Sequence, residues 1–252
     1  MQGPIASCFS GKKPADEKEL MFQIRRFHSF LWLSGGSFSD FFIHNIDECC
    51  WMKDAWPVKA QGDGGRHFRG EYVDQNFDAY TVEYTFADGA KLYLHGRTMA
   101  GCYGDFASYA HGSKGLGIIS MRGHWPAPCK IFKGQSMKDP VAWAYPGRES
   151  DPYQDEWNDL MSAIREDKPF NEADRGIKAS VVTAMGRYAT HTGQEATYDQ
   201  VLNHDHDLSP NLGQLTMDSP APLQMNPDGK YPVPQPGIIK DREYLQIKAD
   251  KV

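Results

Sequence analysis

Two carboxylates and an imidazole recur at helical spacing in the first fifth of the chain. Asp40 lies four residues before His44, and Asp47 follows three residues later. Side chains three and four positions apart share one face of an α-helix. A carboxylate beside an imidazole forms a proton-transfer pair, in which the Asp orients the ring and the His exchanges a proton near neutral pH. The spacing therefore predicts a candidate acid–base site, although a structural hydrogen bond between helical neighbours would have the same spacing.

A helix that begins after a glycine pair must position these residues. The apolar residues between Asp16 and Leu33 recur at intervals of three and four, which predicts one helix over that range. Gly35 and Gly36 then interrupt the pattern. Ser37 is expected to cap a second helix, with Asp40 at the acidic position of a capping box, and this helix is predicted to end at Trp51 or Met52.

The middle of the chain alternates apolar and polar residues with a period of two, which predicts strands. Short turns between them favour one largely antiparallel sheet of about six strands, a common size. The segment Cys129–Phe132 is expected to add an edge strand. Helices over Tyr153–Glu166 and Glu172–His191 follow, the first with apolar residues along one face. We expect an α+β fold, an open sheet with helices packed on one face, over residues 1–200. A proline-rich tail, residues 201–252, would wrap the domain or a neighbouring subunit.

Composition excludes some classes of partner. The net charge of −6 offers no positive field for a nucleic acid backbone. No apolar run approaches the roughly 20 residues that span a bilayer. Five cysteines without regular spacing do not predict a disulfide framework, and they are expected to be small buried apolar residues. The sequence leaves the cellular location open.

Several segments carry a family resemblance. The stretch from Gly35 to Trp51, which contains the residues His-Asn-Ile-Asp, resembles the conserved helix of the Gfo/Idh/MocA oxidoreductases, the family of glucose-fructose oxidoreductase and inositol dehydrogenase. Residues 25–35, 56–66, 156–173 and 183–193 are similar to segments around that helix. The resemblance extends over about residues 15–200.

The resemblance implies the substrate-binding, C-terminal domain of an NAD(P)-dependent enzyme that oxidises a sugar, cyclitol or glycoside hydroxyl. It implies that His44 accepts the hydroxyl proton and that Asp40 orients His44 or binds a substrate hydroxyl. Asp47 matches a family position and is expected at the substrate site, in a supporting role. Arg66 belongs to a matching segment and is also placed at the substrate site. The resemblance further implies a homo-oligomer formed through a sheet face.

Two other residues are candidates for the substrate site. His67, which follows the matching segment, could line the pocket, although a histidine at a strand end is usually a polar surface residue. Trp32, within the matching segment 25–35, could stack on a sugar ring, although core or interface packing is the favoured interpretation.

The family's cofactor-binding half has no counterpart in the sequence. The glycines at 112–117 have the wrong spacing for a dinucleotide-binding turn and lie between predicted strands. We therefore expect that the enzyme uses NAD or NADP but that this chain has no cofactor-binding site. The N-terminal Rossmann domain is expected to be absent. Either the chain is a truncated part of a longer enzyme, or it is a stand-alone carbohydrate-binding or assembly module. A redox-neutral, metal-assisted lyase or isomerase that uses His44 with His204 and His206 is a third possibility, but no metal site is predicted.

Overall fold

A computed structural model describes residues 6–123, 129–147 and 150–246. Residues 1–5 of the predicted domain and 247–252 of the predicted tail lie outside these ranges. The α+β class is confirmed: the strands form open antiparallel sheets, and every strand pair among the described residues is antiparallel. No helix in the described ranges has the length and apolar character needed to cross a membrane.

Two four-stranded sheets replace the single sheet of about six strands that the pattern predicted. The order in the first sheet is β3-β2-β1-β8, and in the second sheet it is β4-β5-β6-β7. The bounds are β1 Pro57–Gly65, β2 Ala79–Phe86, β3 Lys91–Arg97, β4 Ser108–Gly112, β5 Gly115–Ser120, β6 Lys130–Phe132, β7 Val141–Ala144 and β8 Ala196–Thr197. The predicted edge strand at Cys129–Phe132 is wrong in its position, because β6 pairs with β5 on one side and β7 on the other.

The helices are α1 Glu19–Arg25, α2 Leu31–Ser34, α3 Ile43–Lys53, α4 Pro152–Arg165, α5 Ala173–Thr192 and α6 Tyr198–Leu202. The prediction of a single helix from Asp16 to Leu33 is wrong, because α1 and α2 are separate. Phe30 is extended, and the buried amide of Gln75 accepts a hydrogen bond from the Leu31 N–H. The Gln75 N–H donates to the Ser29 carbonyl. These long-range bonds compete with the local helical ones and divide the segment.

The main core lies between the first sheet and helices α3 and α5. Alternate residues of β2, including Val82 and Tyr84, turn inward against Phe42 and Ile46 from the α3 side and Met185 from α5. A second cluster lies beneath the tail, where Leu223, Tyr231 and Tyr244 pack against Phe22, Phe30 and Leu31. The described part of the tail thus packs on its own chain, and its residues become part of the core that supports α1 and α2.

Candidate functional site

A pair of glycines and a π-helix build the segment that holds the predicted catalytic residues. Gly35 and Gly36 have φ values of 70° and 71°, a left-handed backbone that disfavours other residues. The helix then includes a π-helical turn over Phe38–Phe42 before it continues as α3. Such turns occur often at functional sites. Ser37 does not cap the helix as predicted: it has helical φ and ψ, and its hydroxyl forms no cap bond.

Asp40 forms an ion pair with a histidine that the spacing did not reveal. Its Oδ2 lies 2.8 Å from Nε2 of His28, and both side chains are partly exposed. The His28 ring contacts Phe27 and Phe41, with centroids 3.9 and 5.2 Å apart. A partly accessible carboxylate–imidazole pair is therefore present at the glycine turn, where a proton can be exchanged with a bound molecule.

His44 lies in the first turn of α3 and is exposed to solvent. Its ring centroid is 6.3 Å from that of Phe106, which precedes β4. Exposure leaves the imidazole accessible to a substrate hydroxyl. The geometry assigns no reaction to it, so its role as a base and its orientation by Asp40 stay predictions.

The next residue, Asn45, fixes α3 to the second sheet. Its buried side-chain amide donates to Ser108 Oγ at 2.8 Å and to the Ala107 carbonyl at 3.3 Å. Its Oδ1 is buried and has no hydrogen-bond partner among the described residues. Asn45 also lines a cleft of about 750 Å³, together with Tyr93 and His95 of β3 and with Tyr103 and Tyr109. This cleft opens between the two sheets beside α3.

The predicted substrate residues Asp47 and Trp32 are both held by neighbours. Asp47 Oδ1 lies 2.6 Å from Nη2 of Arg175, and that guanidinium lies over the Trp56 ring at 5.4 Å. The pair is about one-third exposed, so solvent weakens it. Trp32 Nε1 donates to Gln23 Oε1 at 2.7 Å, and its ring packs on the cluster beneath the tail. Each residue therefore has a structural role, and neither is shown to bind a substrate.

Arg66 and His67 lie together at the end of β1, beside a second cleft. Arg66 donates to the Asn76 carbonyl, and its guanidinium is 3.7 Å from the fully buried Asp74. Burial lowers the pKa of Arg66. The backbone N–H of His67 donates to the carboxylate of Asp78 at 2.8 Å, while its side chain is exposed.

Asn76 connects this second cleft to the predicted catalytic segment. Its Nδ2 donates to the His28 carbonyl at 2.9 Å, and its Oδ1 accepts from the Ser37 N–H at 2.8 Å. The Asn76 carbonyl accepts from both Arg66 and Arg69. The arginines, the start of the π-helical segment and the His28–Asp40 pair thus belong to one hydrogen-bonded unit.

Sequence reasoning missed a buried network that holds the same segment from the other side. Arg187 of α5 donates to both oxygens of Glu243 and, through Nη1, to Ser39 Oγ at 2.6 Å. Glu243 Oε2 also lies 2.6 Å from Nδ1 of His191, and Nε2 of His191 is 3.3 Å from the Tyr80 hydroxyl. No local signal relates Glu243 to Arg187, because 56 residues separate them. The tail supplies the anion of this network.

The cysteines provide no nucleophile on α3. Burial raises the pKa of the Cys49 and Cys50 thiols to about 12, so both stay protonated at neutral pH. The described cysteines are free, and Cys8 and Cys50 are buried. For these two residues the expectation of small buried apolar side chains is confirmed.

The predicted alternative of a metal site on His204 and His206 gains no support. Across residues 6–123, 129–147 and 150–246, no group of three His, Cys, Asp or Glu side chains could hold a metal ion. His204 Nε2 lies 2.9 Å from the Asp241 carbonyl, and the His206 ring packs edge-on to Tyr244. Both histidines thus pack against the tail.

The described residues also do not fit a dinucleotide. The 112–117 glycines form the β4–β5 hairpin, in which Gly112 pairs with Gly115. A Rossmann site needs parallel strands and a helix after the glycine turn, and the described strand pairs are antiparallel. No step of nicotinamide chemistry is therefore assigned to residues of this part of the chain.

Comparison with solved structures identifies the fold. The chain is similar to an oxidoreductase domain protein from Kribbella flavida, with a TM-score of 0.54 and 15% identity over 75% of this chain and 57% of that one. For the aldose-aldose oxidoreductase from Caulobacter crescentus the TM-score is 0.51, at 15% identity over 78% and 53%. For a protein from Desulfitobacterium hafniense, named as an NADPH-dependent oxidoreductase, it is 0.53, at 14% identity over 67% and 50%.

The chain thus spans about half the length of the structures that it matches. The resemblance to Gfo/Idh/MocA oxidoreductases is confirmed as a structural match over that half, and at these identities the match shows the fold alone. No protein-family model matches the sequence, and a comparison with curated proteins also finds no match.

Proposed function

We propose that this chain is the substrate-handling part of an NAD(P)-dependent oxidoreductase that acts on a sugar, cyclitol or glycoside hydroxyl. The observation that supports this most directly is the exposed His44 on α3, after a π-helical turn that carries the partly exposed Asp40. The fold is shared with sugar-active oxidoreductases, which supports the same proposal. This support is an analogy, because one fold hosts many functions.

In this proposal His44 is the general base. Its neutral imidazole would take the proton of the substrate hydroxyl. A nicotinamide cofactor, for which the described residues form no site, would accept the hydride from the carbon that bears this hydroxyl. The partly exposed side chains of Asp40 and His28 bind a neighbouring hydroxyl of the substrate. The substrate region is lined by Arg66, His67, Asp47 and Trp32.

The experiment combines this chain with a cofactor-binding half, in its native reading frame or as a fusion to the corresponding half of a matched oxidoreductase. Reduction of NAD⁺ or NADP⁺ is followed with a panel of aldoses and cyclitols. In His44→Ala we expect kcat to fall by about 10²- to 10⁴-fold, the usual contribution of a general base. KM should change far less.

The control for this experiment is His111→Ala, which removes an imidazole from β4 whose Nδ1 bonds to Gln135. It should leave kcat unchanged. If His44→Ala retains full turnover, the assignment of the base is wrong, and if no member of the panel reduces either cofactor, the oxidoreductase proposal fails.

The cleft between the sheets favours a second candidate function, a non-catalytic carbohydrate-binding or assembly module. Tyr93 and Tyr103, which line it, are 63% and 76% exposed. Exposed aromatic faces are suitable for packing against a polyhydroxylated ring. Sugar binding that is lost in Tyr93→Ala but unchanged in His44→Ala, without turnover, would favour this function.

We also propose a homo-oligomer through an exposed sheet face. Ile131, Val141 and Trp143 of β6 and β7 are each nearly half exposed, an arrangement typical of surfaces that associate. Light scattering of the purified chain would test this, since a strictly monomeric mass at micromolar concentration contradicts it.

A further inference from the structure

The second cleft is rich in cationic side chains. It has a volume of about 620 Å³ and lies between the chain after β1 and the tail. The residues that line it include Arg66, His67, Arg69, Tyr72, Lys230 and Gln235. Asp228 is the acidic residue on its rim, and its Oδ1 accepts the Lys230 backbone N–H.

Two arginines meet one buried carboxylate beneath this cleft. Nη1 of Arg66 and Nη2 of Arg69 lie 3.7 and 3.4 Å from Oδ1 of Asp74, whose side chain has no exposed surface. Asp74 already accepts hydrogen bonds from the Ser10 and Asn76 backbone N–H groups. The nearby Asp78 carboxylate accepts from His67 and Phe68 N–H groups. Both buried carboxylates are therefore occupied by other donors.

One nitrogen of the Arg69 guanidinium donates to no partner among the described residues. Its side chain is only 5% exposed, with Nε donating to the Asn76 carbonyl and Nη2 to the Phe77 carbonyl. Nη1 is buried and has no hydrogen-bond partner among the described residues. The guanidinium lies over the Phe9 ring, 4.3 Å from its centroid, so Arg69 places a buried positive charge beneath the cleft. Burial also disfavours the charged form of Arg66 and lowers its pKa, which an added anion would oppose.

We infer that this cleft binds the carboxylate or phosphate group of an acidic ligand, with the partly exposed Arg66 as the principal donor, Lys230 at the rim and the buried Arg69 charge beneath them. Arginine is the side chain best suited to such groups, because its planar fork can bond two oxygens at once. The ligand that this predicts is a small molecule bearing a single anionic group.

Hydrogen bonds connect the cleft to the proposed catalytic segment. Asn76 joins the two arginines to His28, which pairs with Asp40. We therefore assign an acidic sugar as the substrate class, with its anionic group at Arg66. The identification of the ligand with the substrate rests on the proposed function, whereas anion binding itself does not.

Calorimetric titration of the chain tests the inference without turnover. The probes are glucuronate, glucose 6-phosphate, inorganic phosphate and neutral glucose, each in chloride buffer of the same ionic strength. We expect at least one sugar anion to bind about tenfold or more tightly than glucose, a difference that one charge-assisted hydrogen bond accounts for. The order of glucuronate and glucose 6-phosphate shows whether the site prefers a carboxylate or a phosphate.

Three variants locate the binding. Arg66→Gln should weaken the preferred anion about tenfold or more, and Lys230→Gln, at an exposed rim position that does not affect folding, should weaken it a few-fold. Lys168→Gln removes the same charge from an exposed residue that does not line the cleft, and it should have no effect.

Equal binding of glucose and both sugar anions would overturn the inference, as would anion affinity that is unchanged in both cleft variants. These outcomes are separate from the failure of the proposed function. An enzyme without nicotinamide activity can still bind glucuronate here, and an active enzyme can still prefer neutral sugars.

Discussion

The two sheets of the molecule differ in how completely their apolar residues are covered. In the first sheet, β2 and β3 bury alternate side chains in the core that α3 and α5 cover, and β1 adds Ala60. In the second sheet the buried cluster is small, consisting of Leu116, Ile118 and Phe132. All four residues of β7 are exposed, and α4 buries none of its residues.

The difference shows where this chain supports a site by its own packing. The π-helical segment and α3 lie on the covered sheet, so their side chains are held by a close-packed interior. The apolar face of α4, with Trp157 and Ile164 each about 60% exposed, is an amphipathic surface without cover from the described residues. We attribute that exposure to the proposed association of copies, in which α4 would form part of the interface.

The largest effect should come from the covered core. Phe42 is fully buried and packs edge-on to Phe38 and Tyr80, with centroids 5.4 and 5.6 Å away. Phe42→Ala should lower the free energy of unfolding by about 3–5 kcal/mol, the usual cost of a large core cavity. Trp143→Ala in β7 is the matched change in the other sheet, and urea unfolding should show a loss below about 1 kcal/mol. Similar losses for the two variants would remove the contrast between the sheets.

The free energy of unfolding contributed by the buried Glu243 network, in the covered half, should depend on pH. Burial alone would raise the pKa of Glu243, but the bidentate Arg187 and the His191 hydrogen bond lower it well below its ordinary 4.5. As the pH falls below 4.5, Glu243 therefore binds a proton in the unfolded chain, whereas in the folded chain it stays ionised. The resulting stability is present above that pH and is lost as the solution is acidified.

Glu243→Gln should remove the group that binds this extra proton in the unfolded chain. Below pH 4.5 the unfolding free energy of the unsubstituted chain should fall more steeply than that of the variant, by about 1.4 kcal/mol per pH unit. The variant should be less stable at neutral pH, because Arg187 loses its buried counter-charge. Asp218→Asn at an exposed ion pair with Lys18 is the control, and its pH profile should keep the slope of the unsubstituted chain. Parallel pH profiles for the chain and Glu243→Gln would contradict the assigned ionisation.

The smallest effect on stability is expected on α4. Trp157→Ala should change the unfolding free energy of the monomer by less than about 0.5 kcal/mol, since the side chain is exposed. If α4 forms part of the proposed interface, the same change should weaken association measurably by analytical ultracentrifugation. Gln154→Ala, on the same helix and bonded only to the exposed Asn158 among the described residues, should alter neither quantity. Unchanged association in Trp157→Ala would exclude this helix from the interface.

Local pattern predicted the elements that depend on local forces. The period of two was confirmed in β2, which turns into β3 at Asp88-Gly89, and α5 ends at Gly193, with Gly89 and Gly193 at φ values of 85° and 70°. Each depends on neighbouring residues or on the backbone freedom of one glycine. The single sheet was wrong because hairpin signals specify which strands adjoin, but not where one sheet ends and another begins.

For the candidate site, the residue pattern predicted a helix that follows the glycine pair and carries Asp40, His44 and Asp47. The partners of these residues became visible in the folded chain: His28 for Asp40, Arg175 for Asp47, and Arg187 with Glu243 behind Ser39. Helix periodicity is set by bonds between near neighbours. Ion pairs and buried hydrogen bonds instead join residues 12 to 148 positions apart, and the packing of the whole chain selects them.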